Sequence, residues 1–374
     1  MSVLTTAYKH ALKPFLFRFD AELIHDLFIN FGEFLGKSKA GQQLVRSMYG
    51  YRGPDVSRTV DGITYPTPVI LAAGFDYNAR LTQILGSVGF GGVEVGSVTA
   101  YPCEGNEPPR LRRAIKSESL VVYKGLKNDG VDIIIERLRR RGTQPDLVLG
   151  ISIAMTNAES SATLEGAIDD YYQSLSKLTS AGLGDYYTIN ISCPNVSGGE
   201  GFTDPDSLRQ LLTRLSKVEK NVPRYAKMPI SAEWPRFAEL LDILQEFDLD
   251  GAVVGNLNKN YDSLAYREEA PREYRGGLSG RPCRERSTEL VAKTRDHCGS
   301  DFTIMGCGGI MTPQDALDKL NAGADLVQLI SGMIFEGPHL MKSIAHAIAR
   351  QQRRTSVNQK GNLKYAATGH GAEI

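Results

Sequence analysis

Short apolar runs alternate with longer amphipathic segments along most of this chain. Eight runs have the length of strands, and they cover residues 69–73, 92–98, 147–154, 186–192, 224–230, 251–256, 303–307 and 326–331. Segments with helical spacing lie between them, for example 163–181, 206–218, 234–246, 285–297 and 312–322. Apolar strands that alternate with helices indicate a parallel sheet covered on both faces. Eight such units predict an α/β fold, a (β/α)8 TIM barrel over residues 67–350.

The first 50 residues predict an N-terminal helical extension outside the barrel. From Leu23 onward apolar residues recur at helical spacing, and Asp20 stands where it can cap the start of the helix. Lysines and arginines flank this stretch. It is either an interfacial helix on a membrane surface or a helix packed on its own domain. The pattern by itself favours packing.

Two further segments have little periodicity. Residues 51–66 contain Gly, Pro and Asp and are predicted to be a connector. Residues 351–374 lose the helical pattern, and we expect a mobile tail there.

Composition narrows the classes of function. The chain has 43 Lys and Arg against 43 Asp and Glu, so it lacks the basic surplus of a general nucleic-acid binder. The five cysteines form no CxxC pair and the six histidines form no HExxH motif, so no metal site is predicted. No apolar run approaches the roughly 20 residues that cross a bilayer.

Glycines after the last two barrel strands form the first candidate site. Gly308 and Gly309 follow the seventh strand, Ser331 and Gly332 follow the eighth, and a third glycine-rich segment ends at Gly280. Backbone N–H groups without a nearby Cβ bind phosphate, and barrels often bind phosphate in this pair of loops. Ordinary turn glycines are the alternative, but two loops at adjacent strand ends favour phosphate.

The segment NISCPN ends the fourth strand, where barrel enzymes place functional residues. Cys193 is a candidate general base, because neighbours readily tune a thiol with an ordinary pKa near 8.5. Asn190 and Asn195 each donate and accept hydrogen bonds, which suits an amide or ureide ring. Asn256 ends the sixth strand and adds a third carboxamide. A cysteine that fills the core is the alternative for Cys193.

Lys227 stands in the otherwise apolar fifth strand. Burying a lysine without a partner costs several kcal/mol, so its position requires an explanation. It forms a Schiff base, holds an anionic group of a cofactor, or takes part in a structural ion pair. These three interpretations stay open at this point.

Several sequence blocks together resemble a known family. They are FDAELIH, PVILAAGFD, GFGGVEVGSVT, GNEPPRL, NISCPN, GGLSGRP, GCGGI and AGADLVQLISGMIFEGP, in this order, between about residues 15 and 350. With these blocks the chain resembles the dihydroorotate dehydrogenase family, and specifically its membrane-associated, quinone-using class.

The resemblance implies a barrel that carries FMN and oxidises a C–C bond beside a carbonyl. The cofactor phosphate is then expected in the loops at Gly308-Gly309 and Ser331-Gly332, and Lys227 is expected to contact the flavin. Further expected flavin-lining residues are Ala73, Gly74, Ser97, Ser152, Asn190 and Gly280. Cys193 has the position of the base that removes a proton while hydride passes to the flavin. Asn190, Asn195 and Asn256 match residues that hold the pyrimidine ring.

The chain departs from the family pattern around the substrate. Cys193 stands where quinone-using members have serine, and Ser152 replaces a flavin-facing asparagine. Tyr77 and Val122 stand where the family has a lysine and an asparagine that hold the substrate carboxylate. Either the substrate differs at its carboxylate end, or Lys124 or Lys127 supplies a replacement charge. A catalytically silent, flavin-binding interaction protein is the remaining alternative.

The resemblance also changes the interpretation of residues 1–50. In the similar class they form a hydrophobic lid through which quinone reaches the flavin, and His25 and Arg110 match positions along that path. An aromatic residue expected before Ser331 is Ile330 here. We therefore predict a small-molecule substrate, quinone as a second partner, and peripheral contact with the cytoplasmic side of the inner membrane.

Overall fold

The computed structural model describes residues 3–193, 201–271 and 273–368, with the side chains of residues 3, 4, 160 and 356–368 excepted. The strands in chain order are β1 (Arg58–Val60), β2 (Ile63–Tyr65), β3 (Val69–Leu71), β4 (Gly92–Val98), β5 (Leu111–Ala114), β6 (Ser119–Val122), β7 (Val148–Ile153), β8 (Tyr186–Asn190), β9 (Arg224–Met228), β10 (Gly251–Val254), β11 (Gly277–Leu278), β12 (Thr303–Cys307) and β13 (Leu326–Leu329).

The helices complete the element order. They are α1 (Val3–Ala7), α2 (Lys13–Leu16), α3 (Ala21–Gly36), α4 (Lys39–Tyr49), α5 (Leu85–Val88), α6 (Val131–Arg141), α7 (Leu164–Ala181), α8 (Pro205–Leu215), α9 (Trp234–Glu246), α10 (Arg284–Cys298), α11 (Pro313–Asn321), α12 (Ser331–Glu336) and α13 (Leu340–Thr368). A π-helical turn at Tyr8–Leu12 joins α1 to α2, and short 3-10 turns lie in several loops.

Eight parallel strands form a closed barrel. Its order is β3, β4, β7, β8, β9, β10, β12 and β13, and β13 pairs with β3 to close it. Each barrel strand pairs with the next one along the chain, as expected when helices connect parallel strands over the outside. The eight apolar runs of the sequence supply these eight strands. The predicted fold class, a (β/α)8 barrel with N-terminal helices, is confirmed.

A hairpin covers the barrel end at which the strands begin. β1 and β2 pair antiparallel, and Asp61 lies in their turn. The Asp61 carboxylate accepts hydrogen bonds from the hydroxyls of Tyr225 and Thr303, at 2.6 and 2.7 Å. Both of these residues lie near the starts of their strands. The segment 51–66, predicted as a connector, therefore also includes the hairpin that closes this end of the barrel.

The N-terminal helices pack against the opposite, functional end. Asp20 caps α3 as the sequence predicts, because its carboxylate accepts from the backbone N–H groups of Glu22 and Leu23 at 2.9 and 3.0 Å. α3 buries the side chains of His25 and Ile29. Its other side exposes large apolar residues, which are Leu23, Leu27, Phe28, Phe31 and Phe34. The apolar pattern therefore serves two surfaces, one packed and one exposed.

Two observations complete the helical regions. In the part of the chain that the structure describes, no helix is both long and apolar enough to span a bilayer. α13 continues across residue 351, where the predicted mobile tail begins, and packs into the core through Ile344 and Ile348. The mobility of that tail stays a prediction, and residues 369–374 lie outside the described residues.

Candidate active site

A pocket opens at the C-terminal ends of the barrel strands and brings most of the predicted residues together. Apolar side chains form part of its wall, among them those of Leu111, Leu120, Val122, Leu126, Ile330 and Ile334. The predicted site residues that line it are His25, Ala73, Gly74, Tyr77, Ser97, Lys124, Lys127, Asn190, Cys193, Lys227, Asn256, Gly280, Gly308, Gly309, Ser331 and Gly332. Asn195 lies outside the described residues.

A buried polar cluster connects three neighbouring strands. The Asn190 amide donates to the Ser97 hydroxyl at 2.9 Å, and the hydroxyls of Ser97 and Ser152 lie 2.8 Å apart. Ser152 is fully buried and does not line the pocket; it supports Ser97 from behind. The backbone carbonyl oxygen of Asn190 also accepts a hydrogen bond from the Tyr171 hydroxyl at 2.7 Å. These bonds fix the orientation of Asn190 before any ligand enters.

A second cluster forms where β8, β9 and β10 end. The Asn256 amide donates to the Ser192 hydroxyl at 2.9 Å and to the Asn190 side-chain oxygen at 3.3 Å. Ser192 in turn donates to the backbone carbonyl of Lys227 at 2.6 Å. Cys193 follows Ser192 directly, is half-buried and faces the same pocket. The cysteine is therefore held beside two oriented carboxamides.

Lys227 is buried in β9 and opens only on the pocket. Its side chain and backbone are 5% exposed, and its neighbours across the sheet are Asn190 in β8 and Val253 in β10. Among the described residues no carboxylate lies within 4 Å of its ammonium group, and no side chain accepts a hydrogen bond from it. A structural ion pair, one of the three interpretations above, is thus absent from the described part of the chain.

The loops after β12 and β13 present free backbone donors to the pocket. Gly308 and Gly309 have φ angles of 108° and 73°, a region in which a side chain is strained. Their N–H groups donate no hydrogen bond within the described residues, so both are available to an acceptor. The hydroxyls of Ser279 and Ser331 lie 2.8 Å apart at the same place. Such a set of donors suits a phosphate group.

His25 of α3 and the neighbouring Tyr77 form part of the mouth of the pocket. The His25 ring stacks on the Tyr77 ring at 5.5 Å, and His25 Nε2 lies 2.8 Å from the Phe75 carbonyl oxygen. Burial raises the pKa of Tyr77, and the nearby carboxylates of Asp26 and Glu22 raise it further. Tyr77 therefore stays neutral over the physiological range.

The predicted cations at the mouth have different surroundings. Lys124 donates to the Glu22 carboxylate at 2.8 Å, and Arg110 lies 3.4 Å from the same oxygen. Burial lowers the pKa of Lys124, although the hydrogen bond to Glu22 opposes that effect. Arg110 does not line the pocket; it contacts Glu22, which in turn holds the pocket residue Lys124. Sequence reasoning did not single out Glu22, although it lies within the recognised block FDAELIH.

Comparison with known proteins identifies the family. A family model described as dihydroorotate dehydrogenase matches residues 56–351. The chain belongs to the dihydroorotate dehydrogenase family. Its predicted resemblance and its assignment as a dehydrogenase of this family are thereby confirmed. The individual site residues stay predictions.

Curated relatives and solved structures match over nearly the whole chain. The dihydroorotate dehydrogenase (quinone) of Christiangramia forsetii is 34% identical over 345 residues, which cover 91% of this chain and 98% of that protein. The protein of the same name from Chromobacterium violaceum is 35% identical over 358 residues, 91% and 97% of the two chains. The crystal structure of DHODH in complex with ferulenol from Eimeria tenella has a TM-score of 0.75 at 25% identity and covers 90% of this chain and 93% of that one.

Proposed function

We propose that this chain is an FMN-dependent dehydrogenase that oxidises a C–C bond beside a carbonyl in a dihydroorotate-like cyclic amide. The observation that carries the proposal is the burial of Lys227 beside the pocket. Its ammonium group is buried in a barrel strand without a carboxylate partner among the described residues, and it opens on the pocket that Cys193 also lines. A buried cation without a partner is unfavourable unless a ligand satisfies it.

The residues of the pocket fit FMN. The free N–H groups of Gly308 and Gly309 suit the cofactor phosphate, and the ammonium of Lys227 suits an electron-rich edge of the flavin ring. Ala73, Gly74, Gly280 and Gly332 leave room for a flat ring and its chain because their side chains are small or absent. When bound, FMN supplies the acceptor for the substrate hydride.

Cys193 supplies the base in this proposal. Its thiolate takes the proton from the carbon beside the carbonyl while the adjacent carbon loses hydride, so the C–C bond becomes a double bond. Asn190 and Asn256 orient the ring amides, and their own hydrogen bonds to Ser97 and Ser192 hold the carboxamides in place. Asn195 is proposed as a third ring contact from the sequence alone.

A different substrate is the second candidate. Tyr77 is neutral and Val122 is apolar, so neither of these pocket residues supplies a positive charge to neutralise a carboxylate. This pair favours a substrate that keeps the cyclic amide and lacks the carboxylate of dihydroorotate.

An absorption spectrum of the purified protein under anaerobic titration tests both candidates. We expect a yellow protein whose visible flavin band bleaches with dihydroorotate. A band that bleaches only with neutral cyclic amides, such as dihydrouracil, supports the second candidate. A colourless protein that does not take up added FMN contradicts the flavoenzyme proposal, and a yellow protein that no substrate bleaches supports a silent flavin-binding protein.

Cys193→Ala tests the proposed base. Loss of a positioned general base reduces the rate of flavin reduction by about 10²- to 10⁴-fold. Cys298→Ala is the matched control, because that half-buried cysteine lies on α10 and does not line the pocket. Equal rates of flavin reduction in wild-type protein and Cys193→Ala would assign the base to another residue.

Quinone is the proposed electron acceptor, and the exposed apolar side of α3 is the proposed membrane contact. His25 lines the pocket and belongs to the same helix as exposed Leu27 and Phe31, which supports a route from a membrane surface to the flavin. Arg110 contributes to this route through Glu22 in the proposal. The proposed location is accordingly peripheral, on the cytoplasmic side of the inner membrane.

A further inference from the structure

Two lysines from the loop after β6 line the pocket, and only one of them is neutralised. Lys124 donates to the Glu22 carboxylate at 2.8 Å. Lys127 lines the same pocket, and among the described residues it makes neither a hydrogen bond nor an ion pair within 4 Å. The two ammonium groups therefore differ in what they can offer to a ligand.

Three cations, Lys124, Arg110 and Lys127, lie around the mouth with two carboxylates, Glu22 and Asp26, which leaves one positive charge in excess. Glu22 is the carboxylate shared by Lys124 and Arg110, so two cations already depend on it. Burial raises the pKa of Glu22, but hydrogen bonding to Lys124 and the charges of Lys124, Arg110 and Lys127 lower it more, and the net shift is downward. Glu22 is thus an ionised carboxylate that two cations already contact, both at the same oxygen. An incoming anion meets Lys127 as the available positive charge.

The neighbouring side chains of this wall add no positive charge. Tyr77 is neutral, and Val122 and Leu126 are apolar. The Tyr77 ring also lies under the Lys124 ammonium at 5.4 Å, which gives Lys124 a second partner on its other side.

We propose that Lys127 is the specificity-determining residue of this chain and that its ammonium group binds a carboxylate of the substrate. This inference rests on the proposed function and makes it more specific, since it decides against the neutral substrate. Asn190 and Asn256 hold the ring amides, and the Lys127 ammonium holds the anionic substituent at the mouth. Lys124 positions α3 and does not touch the substrate.

Kinetics of flavin reduction with Lys127→Gln test this assignment. A charged hydrogen bond of ordinary strength contributes about 10- to 100-fold in binding, so we expect KM for dihydroorotate to rise by that factor with kcat within about threefold. Lys127→Arg should restore most of the affinity because it keeps the charge. Lys217→Gln is the matched control and should leave KM unchanged, because Lys217 is exposed, follows α8 and does not line the pocket.

A neutral analogue isolates the charge. The methyl ester of dihydroorotate keeps the ring and loses the anion, so its KM should be the same in wild-type protein and in Lys127→Gln. If Lys127→Gln raises KM for the ester and for dihydroorotate equally, Lys127 affects the shape of the pocket and does not recognise the negative charge. The proposal then fails. A larger effect of Lys124→Gln than of Lys127→Gln on dihydroorotate would also overturn it.

Binding of the product distinguishes failure of this inference from failure of the proposed function. Calorimetric titration of the purified flavoprotein with orotate and with uracil requires no turnover. If orotate binds the wild-type protein more tightly than uracil and Lys127→Gln removes that preference, the inference holds even without turnover. If dihydroorotate is oxidised but orotate binding is insensitive to Lys127→Gln, the proposed function stands and the inference falls. Absence of any orotate preference in the wild-type protein overturns the inference directly.

Discussion

The ammonium nitrogen of Lys124 lies 2.8 Å from the Glu22 carboxylate and connects the N-terminal helix α3 to the wall of the pocket. Both side chains are largely buried, with 13% and 19% exposed. A partly buried ion pair contributes more stability than a surface pair, because less solvent screens it. Removing one partner leaves the other charge buried without a counter-charge, which is unfavourable. Docking of α3 over the site therefore depends on this contact.

Glu22→Gln should loosen α3 without unfolding the barrel. We expect faster amide hydrogen exchange in α3, corresponding to about 1–2 kcal/mol of local opening, and unchanged exchange in β8 and β9. Lys124→Gln and the double variant complete a cycle, and the double variant should be less destabilised than the sum of the single ones. Additive effects of the two substitutions would contradict the coupling.

Lys227→Met should change FMN binding and the stability of the FMN-free protein in opposite directions. The substitution removes a buried charge that has no carboxylate partner among the described residues, so the FMN-free protein should melt at higher temperature. The same substitution removes the proposed flavin contact, so FMN content after purification should fall. Lys217→Met, at an exposed position, should change neither quantity. A lower melting temperature of FMN-free Lys227→Met would show that the ammonium has a stabilising partner.

Membrane binding should depend on the exposed apolar side of α3. Phe31 and Phe34 are 56% and 68% exposed, so the double variant Phe31→Ser/Phe34→Ser loses little packing. We expect its partition onto phospholipid vesicles to fall by about tenfold or more, because each buried aromatic side chain contributes over 1 kcal/mol. Sedimentation with vesicles measures this. Ile133→Ser/Leu164→Ser, at exposed positions on α6 and α7, is the control, and an equal loss in both variants would contradict a specific surface.

The free energy of unfolding should depend on pH in the alkaline range because of Lys319. Its ammonium donates to the hydroxyls of Ser287 and Thr288 at 2.9 and 3.0 Å, and burial lowers the pKa of Lys319 to about 8. Between pH 8 and about 10 the unfolded chain therefore binds more protons at this residue than the folded chain, and the contribution of Lys319 to stability rises with pH.

Comparison with Lys319→Met isolates that contribution. The free energy of unfolding of the wild-type protein, minus that of the variant, should increase by about 1 kcal/mol for each pH unit from 8 to 10. Melting temperatures at pH 7, 8, 9 and 10 measure the trend for both proteins. A difference that does not change with pH would mean that Lys319 titrates at its ordinary value.

Much of the fold could be predicted because the relevant signals are local. Each barrel strand is an apolar run bounded by turns, and each of the eight predicted runs contains one of the eight barrel strands. The cap at Asp20 was predictable for the same reason, since a carboxylate and the two N–H groups it accepts from lie within three residues. The hairpin at β1 and β2 was not predicted, because Asp61 is stabilised by Tyr225 and Thr303, which are distant in the chain.

The sequence by itself determined the barrel, the family and the list of candidate residues, because the apolar pattern of the strands and the family's sequence motifs both consist of residues that are neighbours in the chain. Only the tertiary structure decided how the charges are distributed among partners. It leaves Lys227 without a carboxylate among the described residues, and it pairs Lys124 with Glu22, a residue 102 positions away. The interaction of charges depends on distance and burial in space, and neither quantity can be read from positions along a chain.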